Sequence, residues 1–414
     1  MAITEKYVTT TGAGTNSGDD EANAYAWTHV NDAMTAGGSI TAAAGWRFNI
    51  KAGTYSISST DTFTVDGTTA SPIIFRGYNS TIGDLDAVGR TSGNGALILT
   101  NFPVLSYASG TRLNASGSDN CIFQCLKVTV ASTGFSGATL NLGLNGVAFR
   151  CYADNISTNS AAAGIGLAGA GAMALDCDAA LTGASGGGAA IAWGANSNKV
   201  IACRVTTSQA AGIGCGAVTV GAVLVANCVV ANCVNGIYYN GTVVGTIPTI
   251  INNTIYNCST AGIQLGASGG AAFTGAMVVA MNHITDCGTA ILSAYDATAQ
   301  LALVAAFNRT RDNTVGIDGF DNWASATTWS HVTTDTGGVA TDFTNAGGGD
   351  FTLIRAAPAL GASAPAYASI GALQRQENYP AVGDVRSGTT YGPANEQTGT
   401  MSAGGGGSQR VICG

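Results

Sequence analysis

Charge is scarce in this chain of 414 residues: Asp, Glu, Lys and Arg make up 10%, against roughly 25% in ordinary soluble domains. Lys+Arg number 16 and Asp+Glu 24, a net charge of −8. The clustered cations that neutralise phosphates are missing, which excludes DNA or RNA as the principal partner. Only three His occur (His29, His283 and His331), and none stands with Cys in a zinc-binding pattern, so no metal site is expected. No GxxxxGK[ST] motif is present, so P-loop chemistry is excluded and no cofactor is expected. Aromatic residues are 7% of the chain, too few for one thick core. There is no long membrane-type run either. The most apolar stretch, residues 216–234, contains Asn227, Asn232, Cys228 and Cys233 and is rich in Val, which reads as buried strands. Residues 1–10 show no charged segment followed by an apolar one, so no export signal is expected.

What is abundant is small and repetitive. Apolar residues are 46% and Gly number 59. Cys125, Cys151, Cys177 and Cys203 are spaced by 26, Cys228 follows after 25, and the column continues as Asn253, Asn282 and Asn308. A second column runs Ile165, Ile191, Ile213, Ile237, Ile263, Ile291 and Ile317, each preceded by Gly or Ala. Such periods mark a solenoid. Residues two places before the Cys/Asn column are apolar (Phe149, Leu175, Ile201) and those one place before are mostly polar (Arg150, Asp176, Asn227). This alternation, with Val/Ile enrichment and Gly punctuation, predicts short strands rather than helices. It places the Cys/Asn column inside, as a structural ladder of reduced thiols and stacked amides. Gly before the Ile residues is expected to supply special torsions at a corner.

At this point the chain resembles the right-handed parallel β-helix, or pectate-lyase-like, superfamily. The resemblance covers roughly residues 20–375. Residues 21–34 (EANAYAWTHVNDAM) resemble a helix capping the coil, 47–55 and 71–79 resemble first rungs, and 350–376 a closing segment. The expected fold is all-β: a right-handed parallel β-helix solenoid with a short N-terminal capping helix and a non-repeat C-terminal extension. The expected divisions are an arm and capping helix (1–40), the coil (41–325), a closing segment (326–376) and a docking tail (377–414). Within that tail, DVRSGTTYG resembles a segment of bacteriophage virion structural proteins.

Several constellations carry chemistry. Gly164-x-Gly166-x-x-Gly169 matches a dinucleotide fingerprint by letters, yet it is one copy of the Gly-Ile repeat and needs a following helix that is not expected. Asp176 and Asp178 flank Cys177 and are expected to point outward, ~6.5–7 Å apart. Arg150 and Arg204 in the neighbouring rungs read as their ion-pair partners; a glycosidase-type dyad is the competing reading. His283, Asp286, Arg309, Arg311 and Asp312 form the densest polar patch. If the chain is an enzyme, Asp286, Asp312, Arg309 and His283 are its candidate catalytic residues. Tyr238, Tyr239, Trp193, Trp323 and Trp329 are candidates for sugar stacking.

The sequence reading favours a non-enzymatic structural protein of a phage virion: a rigid rod serving as capsid decoration, fibre or tail attachment part. Its expected partners are other virion proteins, a further copy of itself (a homo-oligomer, trimeric in one form) and a surface glycan, with neither nucleic acid nor membrane. Its expected place is the virion, assembled in the host cytoplasm, where thiols stay reduced. The alternative is a carbohydrate-active β-helix, either a tail-spike depolymerase or a polysaccharide lyase.

Overall fold

The computed structural model describes residues 3–318, apart from 88, 92–94, 109, 111, 132, 160, 184–187, 215–222, 241–247, 267–275, 295–301, 307 and 312, and short strands beyond. Within these residues the chain winds as a parallel β-solenoid with three faces. The first face stacks Trp46–Lys51, Ile73–Tyr78, Cys121–Gln124 and Val147–Phe149, and continues to Ala302–Ala306. The second stacks Lys127–Val130, Tyr152–Asn155 and Asp178–Leu181, and continues to Arg309–Arg311. The third stacks Ala138–Leu142, Ala163–Leu167 and Ala189–Trp193, and continues to Val315–Asp318.

The core is narrow because each rung contributes only a few inward side chains. Ile165, Ile191, Ile213, Ile237, Ile263, Ile291 and Ile317 pair in consecutive register on the third face. On the first face Phe48, Phe75 and Phe123 stack with centroids 5.1 and 4.7 Å apart, and small residues such as Ala148 and Ala174 follow further along.

Cys151, Cys177, Cys203, Cys228, Asn253, Asn282 and Asn308 form one buried ladder at the corner between the first and second faces. The thiols and amides do the same work there. Cys177 Sγ donates to Ala148 O (3.3 Å) and Cys228 Sγ to Val200 O (3.5 Å), while Asn253 Nδ2 donates to Val225 O (3.1 Å) and Asn308 Nδ2 to Val279 O (2.7 Å). Each acceptor is the same backbone position one rung earlier. Burial holds the Cys177 and Cys228 thiols well above their ordinary pKa. Cys125 is not part of this ladder. Lys127 pairs with Tyr152, so Leu126 stands in register with Cys151 and Cys125 with Arg150. The rung is 25 residues long there, and the 26-residue count from Cys125 is one too many.

The corner itself corrects the expected parity. Cys125, Arg150, Asp176, Ala202, Asn227, Asn252 and Met281 all have φ between 51° and 57°. One left-handed residue turns the chain between the strand and the ladder position, so inward positions lie three apart across it. Ala148 and Cys151 both point in, and Phe149, Leu175 and Ile201 stand half-buried on the outside of the first face. A left-handed Ala is strained, whereas Asn tolerates that torsion. Asn252 Nδ2 already donates to Asn227 Oδ1 (2.6 Å) one rung below. Ala202→Asn is therefore expected to raise stability by about 0.5–1 kcal/mol, read as a higher urea midpoint; a lower midpoint would contradict the strain argument.

The Gly residues before the Ile column are not corner residues. Gly164, Gly212, Gly236 and Gly262 lie inside strands, and a Cβ on Gly262 would stand 2.3 Å from Ile284 Cγ2 and 2.8 Å from Ala290 O. Close approach between the second and third faces demands Gly here, rather than torsion.

The expected helix at residues 21–34 is shorter. A 3-10 turn, Glu21–Asn23, and a helix, Trp27–Ala33, flank an extended Tyr25. Tyr25 N bonds to Tyr7 O (2.8 Å) and Tyr25 O accepts from Thr9 N (3.0 Å). This pairing occupies the outer edge of Thr4–Val8, the end strand of the first face, which would otherwise present open backbone groups. Beyond the coil the pairing turns antiparallel, in Phe343–Asn345 with Asp350–Leu353 and in Val385–Arg386, Thr389–Tyr391 and Gln397–Gly399. Among the described residues no helix is long and apolar enough to cross a membrane.

Candidate functional site on the second face

The three faces differ outside as much as they agree inside. The outward column of the third face reads Asn141, Gly166, Ala192, Gly214, Tyr238, Gln264 and Leu292, with no ionisable group other than the Tyr until Asp318 in the last strand. From Val147–Phe149 to Ala276–Ala280 the first face carries one charged residue, Lys199. In the middle rungs the second face holds most of the charge, while Arg47, Lys51 and Arg76 stand at the start of the first face. One register column runs Lys127, Tyr152, Asp178, Arg204, and later Thr254, His283, Arg309. A neighbouring column holds Thr129, Asp154 and Ala180.

Lys127 Nζ lies 5.6 Å from the centroid of the Tyr152 ring, within cation–π range. Burial, with Asp154 and Asp178 nearby, pushes the Tyr152 phenol up to about 12, so it stays protonated at neutral pH. Burial also raises the Asp154 carboxyl above the ordinary range, against hydrogen bonds from Thr182 and the Asn155 N–H and the pull of Lys127. Burial lowers Arg204, with Asp178 pulling the other way. Lys127, Tyr152, Asp154 and Arg204 are all half-buried. The strip thus offers two cations, a phenol and a carboxyl group of raised pKa, in fixed register.

Asp176 and Asp178 do not lie open to solvent as an outward pair. Asp178 is 5% exposed. Arg90 reaches them from far upstream, Nε to Asp176 Oδ1 at 2.9 Å and Nη1 to Asp178 Oδ1 at 2.5 Å, and Leu97 N donates to Asp178 Oδ2 at 2.8 Å. Arg150 Nε meets Asp176 Oδ2 at 2.9 Å, the cross-rung pair read from the sequence. Burial works against the Arg90 charge, but Asp178 and Asp176 outweigh it and hold the guanidinium above its ordinary pKa. Burial raises the Asp178 carboxyl against these donors. With both carboxylates bound to cations and backbone, the arrangement is an anchor rather than a free dyad.

The polar patch at the far end is placed as follows. His283 pairs with Arg309 in register and is fully buried. Asp286 sits at an exposed left-handed bend (φ 55°) and accepts a hydrogen bond from Tyr256. Arg309 and Arg311 lie in one strand; their side chains and Asp312 fall outside the described residues. Among the aromatic candidates, Trp193 and Tyr239 point into the core (3% and 0% exposed). Tyr238 is half-buried on the outside, and Trp323 and Trp329 lie outside the described residues.

Sequence reasoning missed a second ladder, between the second and third faces: Cys233, Cys258, Cys287 and Asn313. There Cys287 N donates to Asn313 Oδ1 (2.8 Å) and Asn313 Nδ2 to Ile284 O (3.1 Å). Its signal was a constant offset of five from the first ladder, in Cys228/Cys233, Asn253/Cys258, Asn282/Cys287 and Asn308/Asn313. Arg90 and Lys127 were missed because neither belongs to a repeat column that stands out in composition. Among the described residues no three His, Cys, Asp or Glu converge as a metal site.

Comparison with known proteins agrees with this geometry. A family model described as "Right handed beta helix region" matches residues 92–277. A search of curated proteins finds no match. Among solved structures, pectate lyase Pel9A is similar with a TM-score of 0.60 at 13% identity, covering 91% of this chain and 98% of that one. A mannuronic acid specific polysaccharide family 6 lyase from human gut microbiota gives a TM-score of 0.38 at 12% identity, covering 75% and 77%. The Dettilon tailspike protein gives 0.34 at 14% identity, covering 64% and 56%. The expectation that the chain is not an enzyme is overturned by the first of these matches: pectate lyase Pel9A shares the coil over 91% of this chain, so being a β-helix rod does not argue against catalysis. From end to end of the match, the chain has the right-handed parallel β-helix fold.

Proposed function

We propose that the chain is a carbohydrate-active β-helix, a depolymerase or lyase, that takes an extended polysaccharide along its second face. The observation that carries this reading is the alignment of Lys127, Tyr152, Asp154 and Arg204, two cations, a phenol and a carboxyl group, in neighbouring register columns of one face in the middle rungs of the coil. Lys127 and Arg204 stand three rungs apart, about 14 Å at ~4.8 Å per rung, which suits a polymer with repeated acidic groups. The similarity to pectate lyase Pel9A supports the same reading through the fold. In it, Lys127 and Arg204 hold substrate acid groups, the Tyr152 ring flanks a sugar, and Asp154, whose carboxyl pKa burial raises, is the general acid for a departing oxygen. Presentation on a phage particle, with attachment to other virion proteins through residues 377–414 and assembly as a homo-oligomer, belongs to the same proposal and is supported by the DVRSGTTYG resemblance.

The test is incubation of the protein with pectate, a mannuronate polymer and a neutral glucan. Unsaturated ends are followed by ultraviolet absorbance and reducing ends by a colorimetric assay. A lyase yields both on an acidic polymer, a hydrolase reducing ends alone. Asp154→Asn is expected to lower the rate by about a hundredfold with an unchanged melting temperature. No product and no retention on any of the three polymers would reject the reading.

A further inference from the structure

At most corners between the first and second faces the chain turns on a single left-handed residue. After Tyr78 it leaves the coil instead and returns only at Val104. The described part of this excursion, residues 79–87, 89–91 and 95–103, lies back over the corners of the next three rungs. Asp84 closes the departure by accepting from the N–H groups of Asn79 (2.9 Å), Ser80 (2.8 Å) and Thr81 (3.1 Å). Asp86 meets Arg76 in its own rung and Gln124 Nε2 (2.8 Å) in the next, and its carbonyl accepts from Arg150 one rung further. A short hairpin, with Arg90 bridged to Leu97, then reaches the rung of Asp176 and Asp178.

Two features separate this segment from the coil. Its apolar contacts form a satellite cluster of Leu85, Phe102 and Cys125, with Leu99 against it, distinct from the continuous core. Its ties to the rungs that it crosses are mostly ionic or polar: Asp86 to Arg76, Gln124 and Arg150, and Arg90 to Asp176 and Asp178. Removing it would leave an ordinary corner, since the strands it interrupts pair with their neighbours like the rest. Segments with small satellite clusters open at lower free energy than a shared core.

We propose that the excursion anchored by Asp84, Asp86, Arg90 and Leu97 is a charge-latched strap that opens as a unit while the coil stays folded, uncovering Asp178 and Cys125. Asp178 lies between Tyr152 and Arg204 in the register column, so withdrawal of Arg90 joins Lys127, Tyr152, Asp178 and Arg204 into one continuous strip. That consequence rests on the second face being the glycan face; the opening itself does not.

Cys125 reports the opening directly. Its Sγ donates to Leu85 O (3.4 Å) under the closed strap, while Cys151, Cys177 and Cys203 are sealed in the coil. The intact protein is treated with a small neutral disulfide reagent, and labelled peptides are quantified by mass spectrometry over time. Arg90→Gln is expected to speed labelling of Cys125 on the order of a hundredfold, with Arg90→Lys in between and Cys151, Cys177 and Cys203 unchanged. Wild-type protein at rising salt is expected to show the same selective acceleration, which keeps the test valid if Arg90→Gln misfolds. Equal labelling of Cys125 and Cys177 under both conditions, or acceleration of all the cysteines together, would overturn the strap. Retention of Arg90→Gln on an acidic polymer is measured in parallel. Selective Cys125 opening with unaltered retention keeps the strap and rejects its link to the glycan face.

Discussion

Asn282→Ala is expected to cost about 3–5 kcal/mol of stability, among the largest effects of any single substitution in the coil. Asn282 Oδ1 accepts from Asn253 N (3.0 Å) and Asn253 Nδ2 (2.9 Å), and Asn282 Nδ2 donates to Ile250 O (3.0 Å) and Asn308 Oδ1 (2.9 Å). All of this is buried, so truncation strands a backbone donor and a backbone acceptor with no water to replace the amide. Each orphan costs about 1–3 kcal/mol, and a small cavity adds to it. Asn282→Cys is expected to lose less than about 2 kcal/mol, because a thiol at this position can donate to the same carbonyl, as Cys228 does to Val200 O. Urea unfolding followed by circular dichroism checks the pair. Equal losses for Ala and Cys would show that thiol and amide are not interchangeable in this ladder.

Gly236→Val is expected to exceed about 4 kcal/mol or to prevent folding. A Cβ on Gly236 would stand 2.4 Å from Gly262 O and 2.6 Å from Ile255 Cγ2, one a backbone atom of the next rung and the other a core side chain. Neither can retreat without shifting its own strand. The clash would be passed along the stack, because Gly262 is itself pressed against Ile284 and Ala290. Gly134→Ala is the control: nothing lies within 4 Å of its added Cβ, and the midpoint should move by less than about 0.5 kcal/mol. Soluble Gly236→Val with a wild-type urea midpoint would remove the close-approach explanation of the Gly-Ile motif.

Much of the coil was legible because stacking turns sequence period into spatial contact. Residues one rung apart are neighbours, so the Ile column and the run from Cys151 to Asn308 could be recognised by counting. Counting failed where the period wavered by one residue, as at Cys125, whose place in the ladder belongs to Leu126. It also failed across the left-handed corner. There Phe149 and Leu175 kept the apolar character of a core position while lying outside, since the turn resets which residues face inward. The ion pair of Arg150 with Asp176 was legible for the same reason as the ladder: both belong to adjacent rungs.

The candidate site was only partly so. Tyr152 and Asp154 belong to a rung that could be aligned by counting, but Lys127 lies in the rung where the count was off by one, and which face they share depended on the bend before them. Arg90 lies 86 residues from Asp176 and belongs to no repeat, so no spacing rule connects the two.

By itself the sequence determined the winding, the reduced thiol and amide ladder and the stacked Ile core, because each follows from a period and from the hydrogen-bonding capacity of small side chains. Tertiary structure alone decided which outer face gathers Lys127, Tyr152, Asp154 and Arg204 and which carboxylates are covered. Those outcomes depend on the sense of a single left-handed turn and on where a non-repeating excursion lands, and neither is encoded in any local pattern.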